Sequence, residues 1–168
     1  MNVMREIRLD KVTLNMGAGE AGPKLEKSQK ILSKIVGRDV VITKTHKRST
    51  FGVAKKRPIG VKITLRGEQA KQLLEKFFQA VDGKLKRDCF DKNGNFSFGI
   101  KEYIHIPGMK YDPDVGILGL DVAVTLMRPG YRVKNRRIRP GKIGKNHRIK
   151  PEESIEWVKK EFGIKIEG

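Results

Sequence analysis

Three glycines near the N-terminus have a spacing that is typical of a phosphate-binding turn. The segment NMGAGEAG, residues 15–22, places Gly17, Gly19 and Gly22 in a G-x-G-x-x-G pattern. In that pattern the backbone comes close to the pyrophosphate of a dinucleotide. The segment follows a strand-like run, KVTLNM, and precedes a helix-like run, LEKSQKILSKIV, and Asp39 lies near the offset expected for a ribose-binding acid. Nucleotide binding is therefore the first chemistry to consider.

The surroundings of the glycines argue against a dinucleotide fold. Its first strand would be buried on both faces and continuously apolar, whereas KVTLNM is half polar. Asp39 precedes the apolar run VVI, at the wrong end of the second strand, and Glu20 would repel a pyrophosphate. We therefore interpret the segment as a tight strand-to-helix turn that needs positive φ at a glycine.

Other residues that could carry out catalysis or bind a metal are sparse. His46, His105 and His147 lie far apart and have no cysteine or carboxylate at a ligand spacing, so we expect no zinc site. Asp112 and Asp114 flank a proline and are better explained by a turn than by an acid/base pair. The sequence predicts no cofactor, no metal and no enzymatic activity.

The net charge of +18 is concentrated in two parts of the chain that contain no acidic residue. Residues 40–67 hold eight basic residues and residues 122–151 hold ten, and the other 19 lysines and arginines equal the 19 acids in number. Exposed faces normally mix charge signs, because like charges repel. A polyanion would relieve that repulsion, so nucleic acid is the favoured partner. An anionic membrane and a role in solubility alone are the alternatives.

The periodicity of the apolar residues predicts an α+β fold. Residues 11–16, 61–66 and 119–127 alternate with a period of two, and residues 95–106 continue that pattern. Residues 25–36, 68–81 and 152–162 show helical stripes, the first of them between Pro23 and Gly37. We expect a largely antiparallel sheet with helices packed on one face and an open polar face for RNA. The 168 residues favour one domain, with a basic loop at 44–58, mobile or a hairpin, and a basic C-terminal arm at 128–150.

The open face and the basic segments supply the candidate binding residues. Alternation directs Lys11, Thr13, Asn15, Lys62, Thr64 and Arg66 away from the core. The arm adds Arg132, Arg136, Arg137 and Arg139, and the loop adds Lys44, Lys47, Arg48, Lys55, Lys56 and Arg57. Phe51 in the same loop either stacks on a base or anchors the loop to the body, and the sequence favours neither.

Five strings in this order resemble one protein family. VTLNMGAGEAG, IVGRDVVITKTHKR, PIGVKITLRG, GNFSFGIKE and YDPDVGILGLDV lie between residues 8 and 125. Together they resemble the universal large-subunit ribosomal protein family number five, which binds 5S ribosomal RNA. The strings MRPGYRVKNRR and GKIGKNH are similar to its archaeal and eukaryotic branch.

The resemblance implies a structural role in the ribosome, in the cytoplasm. It implies a sheet that docks on 5S ribosomal RNA, a place in the central protuberance of the large subunit, and contact with a small-subunit head protein. The RNA-facing asparagine of the family falls on Asn15 and the threonine on Thr64. A frequent glutamine is replaced here by Arg38, which would grip phosphate instead. The loop at 44–58 corresponds to the one that reaches the peptidyl-site transfer RNA.

Two further interpretations stay open at this point. One is a stand-alone RNA-binding regulator or chaperone with the same fold. The other is a nucleotide-dependent enzyme that uses the loop from Gly17 to Gly22. The single Cys89, the N-terminal MNVMREIRLD without an apolar core, and the lack of a long apolar run lead us to expect a cytoplasmic protein that does not enter a membrane.

Overall fold

A five-stranded antiparallel sheet forms the centre of the computed structural model, which describes residues 2–48, 52–113 and 116–167. Its strands are β1 (Arg8–Gly17), β2 (Val41–Lys44), β3 (Pro58–Leu65), β5 (Phe96–Ile100) and β6 (Leu120–Met127). They lie in the order β2-β3-β1-β6-β5, and each neighbouring pair is antiparallel. Two short strands, β4 (Lys84–Lys86) and β7 (Lys165–Glu167), form a separate parallel pair. The α+β prediction is confirmed.

In the described residues four helices accompany the sheet: α1 (Pro23–Val36), α2 (Glu68–Gln79), α3 (Arg132–Asn135) and α4 (Pro151–Phe162). α1 begins at its proline and ends at Gly37, whose φ of 71° is left-handed and whose N–H donates to the Ser33 carbonyl at 2.7 Å. Within the described ranges, no helix is long and apolar enough to cross a bilayer.

The core lies between one face of the sheet and the helices. Val12, Leu14 and Met16 of β1 are at most 2% exposed and point to the side on which α1 and α2 contact the strand. Leu32 of α1 and Leu74 of α2 are completely buried. Alternation along β1, β3, β5 and β6 places mostly polar or small residues on the other face, where most of them are exposed, whereas β2 presents Val41, 60% exposed, beside Lys62 on that face.

The chain turns where the alternating pattern predicts that the fifth strand continues. β5 ends at Ile100, and Tyr103–His105 forms a 3₁₀ turn, so the strand prediction for residues 101–106 is wrong. Tyr103 is the physical reason, because its ring is 1% exposed, its N–H donates to the Leu118 carbonyl, and its hydroxyl accepts from the Asp112 N–H at 3.0 Å. Burial of one aromatic ring therefore overrides a period of two.

The basic segment 128–150 is fixed to the body at both ends. The side chain of Arg128 is only 5% exposed. Its Nε donates to the Arg5 carbonyl at 3.0 Å, and Nη1 donates to the carbonyls of His147 and Arg148 at 3.4 and 3.3 Å. Its Nη2 contacts Glu153 Oε1 of α4 at 2.8 Å. One buried guanidinium thus joins the N-terminal turn, the end of the arm and the last helix.

Further contacts hold the end of the arm. The Tyr131 hydroxyl donates to the His147 carbonyl and accepts from the Ile149 N–H at 3.0 Å. Ile149 is 1% exposed and packs above Gly94, where a Cβ would lie 2.5 Å from the Ile149 side chain. Segment 128–150 is therefore a loop that is attached to the body at both ends and not a free tail.

We expect Arg128→Ala to lower the free energy of unfolding by about 2–4 kcal/mol, because three partly buried carbonyls and Glu153 each lose the hydrogen bond that the guanidinium donates. Urea unfolding measures the change. Arg132→Ala, which removes an exposed arginine from the same segment, is the matched control and should stay within about 0.5 kcal/mol of the wild type. Equal stability of the two variants would contradict the assigned role of Arg128.

Glu153 should make this junction sensitive to acid. Burial, the largest effect, raises its pKa, but the hydrogen bonds from the Lys150 N–H and from Arg128, with their charges, outweigh burial and hold the pKa below its ordinary value. A carboxylate with a lowered pKa in the folded state stabilises the fold above its unfolded pKa and loses that contribution as the pH falls through the folded pKa.

We therefore expect Glu153→Gln to destabilise the protein by about 1 kcal/mol at pH 7, a modest value because the carboxylate side chain is 39% exposed. The difference from the wild type should shrink as the pH falls below the ordinary range of a glutamate. Urea midpoints between pH 3 and 7 test this, with the exposed Glu156→Gln as control. A difference that grows towards acid pH would contradict the assigned pKa direction.

Candidate nucleic-acid interface

The open face of the sheet carries two rows of short polar side chains. Strand register places Thr64, Thr13, Ala123 and Ser97 side by side in one row, and Lys62, Asn15, Asp121 and Gly99 in the next. Lys11 pairs with Thr125 at one end of the same face. The structure therefore brings together five of the predicted residues, Lys11, Thr13, Asn15, Lys62 and Thr64. We call the two rows together with the pair of Lys11 and Thr125 the platform.

The platform is flat because its central side chains are short. Ala123, Ser97 and Gly99 add little height, and the Thr13 and Thr64 hydroxyls lie 3.5 Å apart. Asn15 is exposed, and its amide makes no hydrogen bond within the described parts of the chain. Such a surface allows the shallow minor groove of an RNA helix to approach closely, whereas long side chains would hold it away.

Asp121 is a platform residue that the sequence reasoning missed. It pairs with Asn15 and lies opposite Gly99, where a Cβ would be 3.6 Å from Asp121 Oδ1. The alternation of β6 supplies the signal, since Leu120 and Val122 are buried and the residue between them must point outward. A carboxylate at this position accepts hydrogen bonds and repels phosphate.

Two predicted arginines lie outside the paired positions of the platform. Arg66 directly follows β3 and is exposed. Arg38 lies in the turn between α1 and β2, also exposed, and no contact within the described ranges ties it to the platform. Their assignment to RNA stays a prediction.

The basic loop between β2 and β3 is a hairpin that is closed by Thr45. The backbone N–H of Thr45 donates to the Arg57 carbonyl and its carbonyl accepts from the Lys56 N–H, both at 2.9 Å. Its hydroxyl donates to the Ala54 carbonyl at 2.7 Å and accepts from the Arg57 N–H at 3.0 Å. The predicted basic residues Lys44, Lys47, Arg48, Lys55, Lys56 and Arg57 are exposed. Phe51 lies outside the described residues.

The arm places one of its four predicted arginines beside the platform. Arg132 of α3 lines a groove of about 560 Å³ that Lys11 and Thr125 also line. Arg136, Arg137 and Arg139 are exposed and do not line the groove. Arg136 Nε donates to the Arg139 carbonyl at 2.6 Å, which makes this part of the arm a turn.

The glycine motif is a turn in which two of the backbone amides are already hydrogen-bonded. The N–H groups of Ala18 and Gly19 both donate to the Ile59 carbonyl, at 2.9 and 3.0 Å. Gly19 has a φ of 78° and Gly22 a φ of 146°, so the predicted positive φ is confirmed. β1 is antiparallel to both neighbours, whereas a dinucleotide fold needs a parallel sheet. The dinucleotide interpretation is wrong.

Comparison with protein-family models identifies the same family that the five sequence strings resemble. The model of ribosomal protein L5 matches residues 2–53, and the model of the C-terminus of the same ribosomal protein family matches residues 58–165. This chain belongs to the ribosomal protein L5 family. The two matched segments contribute strands to the same sheet, β1 and β2 from the first and β3, β5 and β6 from the second.

Curated L5-family relatives are similar over nearly the whole chain. Large ribosomal subunit protein uL5 of Nanoarchaeum equitans is 51% identical over 97% of this chain and 97% of its own length. The uL5 protein of Methanosphaera stadtmanae is 45% identical over 99% of this chain and 100% of its own length. The uL5 protein of Sulfurisphaera tokodaii is 47% identical over 99% of this chain and 95% of its own length. The predicted archaeal type is confirmed. The L5 family consists of structural ribosomal proteins, so the chain has a structural ribosomal role and the enzyme alternative is wrong.

Proposed function

We propose that this chain is a structural constituent of the large subunit of the cytoplasmic ribosome and binds 5S ribosomal RNA through the platform. In this role it helps to attach that RNA to the central protuberance, beside other large-subunit RNA and neighbouring ribosomal proteins. The observation that carries the proposal is the uncovered platform: two registered rows of short polar groups on a chain whose relatives are large-subunit proteins.

The chemistry of the platform suits the sugar edge of an RNA helix. The Asn15 amide both donates and accepts, as a 2′-hydroxyl does, and Lys62 beside it supplies charge for a flanking phosphate. Asp121, on the other side of Asn15, favours a 2′-hydroxyl or a base amino group and disfavours phosphate. The row that contains Asn15 therefore orients the RNA, with a phosphate at Lys62 and a hydrogen-bond donor of the RNA at Asp121.

The hairpin loop and the arm extend this proposal. Exposed lysines and arginines of the loop at 44–58 contact the peptidyl-site transfer RNA, and the hydrogen bonds of Thr45 that close the loop base beyond β2 and β3 support this role. Arg38, Arg66 and the arm arginines contact ribosomal RNA phosphates. A small-subunit head protein is the remaining partner, across the intersubunit bridge.

A stand-alone RNA regulator or chaperone with the same fold is the alternative. Co-sedimentation separates the two, since a constituent stays with large subunits after a high-salt wash and a regulator is released.

We expect Asn15→Ala and Thr64→Ala each to weaken 5S RNA binding by about 1–3 kcal/mol, because each removes a hydrogen-bonding group that is desolvated against RNA. A salt titration of the affinity for 5S RNA and for a size-matched unrelated RNA measures the effect. Gln72→Ala, an exposed amide on α2, is the control and should have no effect. Unchanged affinity in both platform variants would refute the platform as the binding site.

Neutralising the loop should separate the two RNA partners. The triple variant Lys47→Gln, Arg48→Gln and Lys55→Gln keeps Thr45 and the loop base but removes three positive charges. We expect 5S RNA affinity to stay within about twofold, while transfer RNA binds the assembled ribosome more weakly and with a less steep salt dependence. A collapse of 5S RNA binding would show that the loop is part of the 5S site.

A further inference from the structure

The groove beside the platform is a second feature of the RNA-facing side. The groove has a volume of about 560 Å³ and lies between the end of the platform, the turn at residues 93–95 and the arm. Lys11 and Thr125 are cross-strand neighbours on the platform and also line the groove. The two surfaces are therefore continuous, and a strand that leaves the platform at this end enters the groove.

The lining of the groove is strongly positive. Its basic residues are Lys11, Arg132, Lys134, Lys142 and Arg148, and Asp10 is the one acid among the described residues that line it. Asp10 already pairs with Lys11, whose Nζ lies 3.9 Å from Asp10 Oδ2. The other four basic side chains have no acidic partner within the described ranges. A ligand that fits this charge is an anion with several negative groups.

Asn95 adds an oriented donor to the lining. Its Oδ1 accepts the N–H of Leu126 at 3.2 Å, which fixes the amide, because an NH₂ group cannot accept that bond. The Nδ2 group makes no hydrogen bond within the described residues, and Asn95 lines the groove. A fixed amide N–H is a suitable partner for a phosphate or sugar oxygen.

We propose that the groove holds the sugar–phosphate backbone of the 5S RNA strand that leaves the platform at Lys11 and Thr125. This deepens, and rests on, the proposed 5S RNA function. Arg132 and Lys142 bind successive phosphates, and the Asn95 amide donates to an oxygen of the same strand. The arm is in this way a wall of the RNA site, and not only a diffuse source of positive charge.

The test compares two double variants with the same change of net charge. Arg132→Ala with Lys142→Ala removes two groove charges, and Lys30→Ala with Lys34→Ala removes two charges of α1. We expect the first to make the log–log salt slope for 5S RNA less steep by about 2, one for each phosphate contact. The second should leave the slope unchanged. Equal slopes in the two variants would overturn the proposal.

Asn95→Asp gives a second, independent readout. It keeps the acceptor for the Leu126 N–H but replaces the donor in the groove by a carboxylate. We expect a loss of 5S RNA affinity of about tenfold or more, because hydrogen bonds to charged groups are among the stronger ones. Thermal unfolding should match the wild type, which excludes misfolding as the cause.

The outcomes distinguish this proposal from the function on which it rests. If the groove variants behave like the α1 control while Asn15→Ala still weakens binding, the groove is empty of RNA and the platform function stands. If the groove variants and Asn15→Ala all leave 5S RNA binding unchanged, both proposals fail. If Asn95→Asp keeps full affinity, the oriented amide does not contact the strand and the proposed groove contact is wrong.

Discussion

The one-sided burial of β1 is the constraint on which the rest of the structure depends. This strand lies in the middle of the sheet and pairs with both β3 and β6. Val12 and Leu14 are completely buried on its helix side, while Thr13 and Asn15 face the open side. A slip of one residue would exchange the two sets and bury polar groups in the core. The register that builds the core therefore also builds the platform, and neither can change without the other.

The positive charge of Arg128 has a structural role, in contrast to the exposed positive charges that are proposed to bind RNA. Its neighbours in the basic segment are exposed, but its guanidinium is buried among carbonyl groups and Glu153. A buried charge is tolerated only when it is paired and fully hydrogen-bonded, and these contacts supply that. Because they fix where the arm leaves and rejoins the body, they also fix the distance between the arm and the platform. The groove thus depends on one arginine that does not line it.

The sequence predicts the parts of this structure that local chemistry determines. The alternation of β1, β3 and β6 and the proline and glycine that bound α1 are visible in single segments. The turn at Tyr103 is not, because it depends on a ring that packs under residues around Asp112. The role of Arg128 is also hidden, since an arginine in a basic run has no mark that separates a buried guanidinium from an exposed one. The pairing of β4 with β7 joins strands of three residues, which are too short to show a period. The alternation of β6 predicts that Asp121 faces outward. The charge pattern does not draw attention to it, because Asp121 lies just before the acid-free residues 122–151.

On the RNA-facing side, the residues that attract RNA by charge lie apart from the residues that discriminate between RNAs. The hairpin loop leaves the sheet at the pair of Lys44 and Pro58, near the Gly17 end of β1, and the arm leaves it where Arg8 pairs with Met127, so the two basic segments lie at opposite ends of β1. Between them the platform carries mostly short neutral groups. Phosphate attraction acts over about a Debye length and is insensitive to sequence, whereas hydroxyl and amide contacts act only at close range. Charged segments at the two ends can therefore attract and align any RNA, but only an RNA whose surface fits the flat centre can bring its sugar edges to Asn15 and Thr64. Affinity and discrimination are in this way assigned to different residues of one surface.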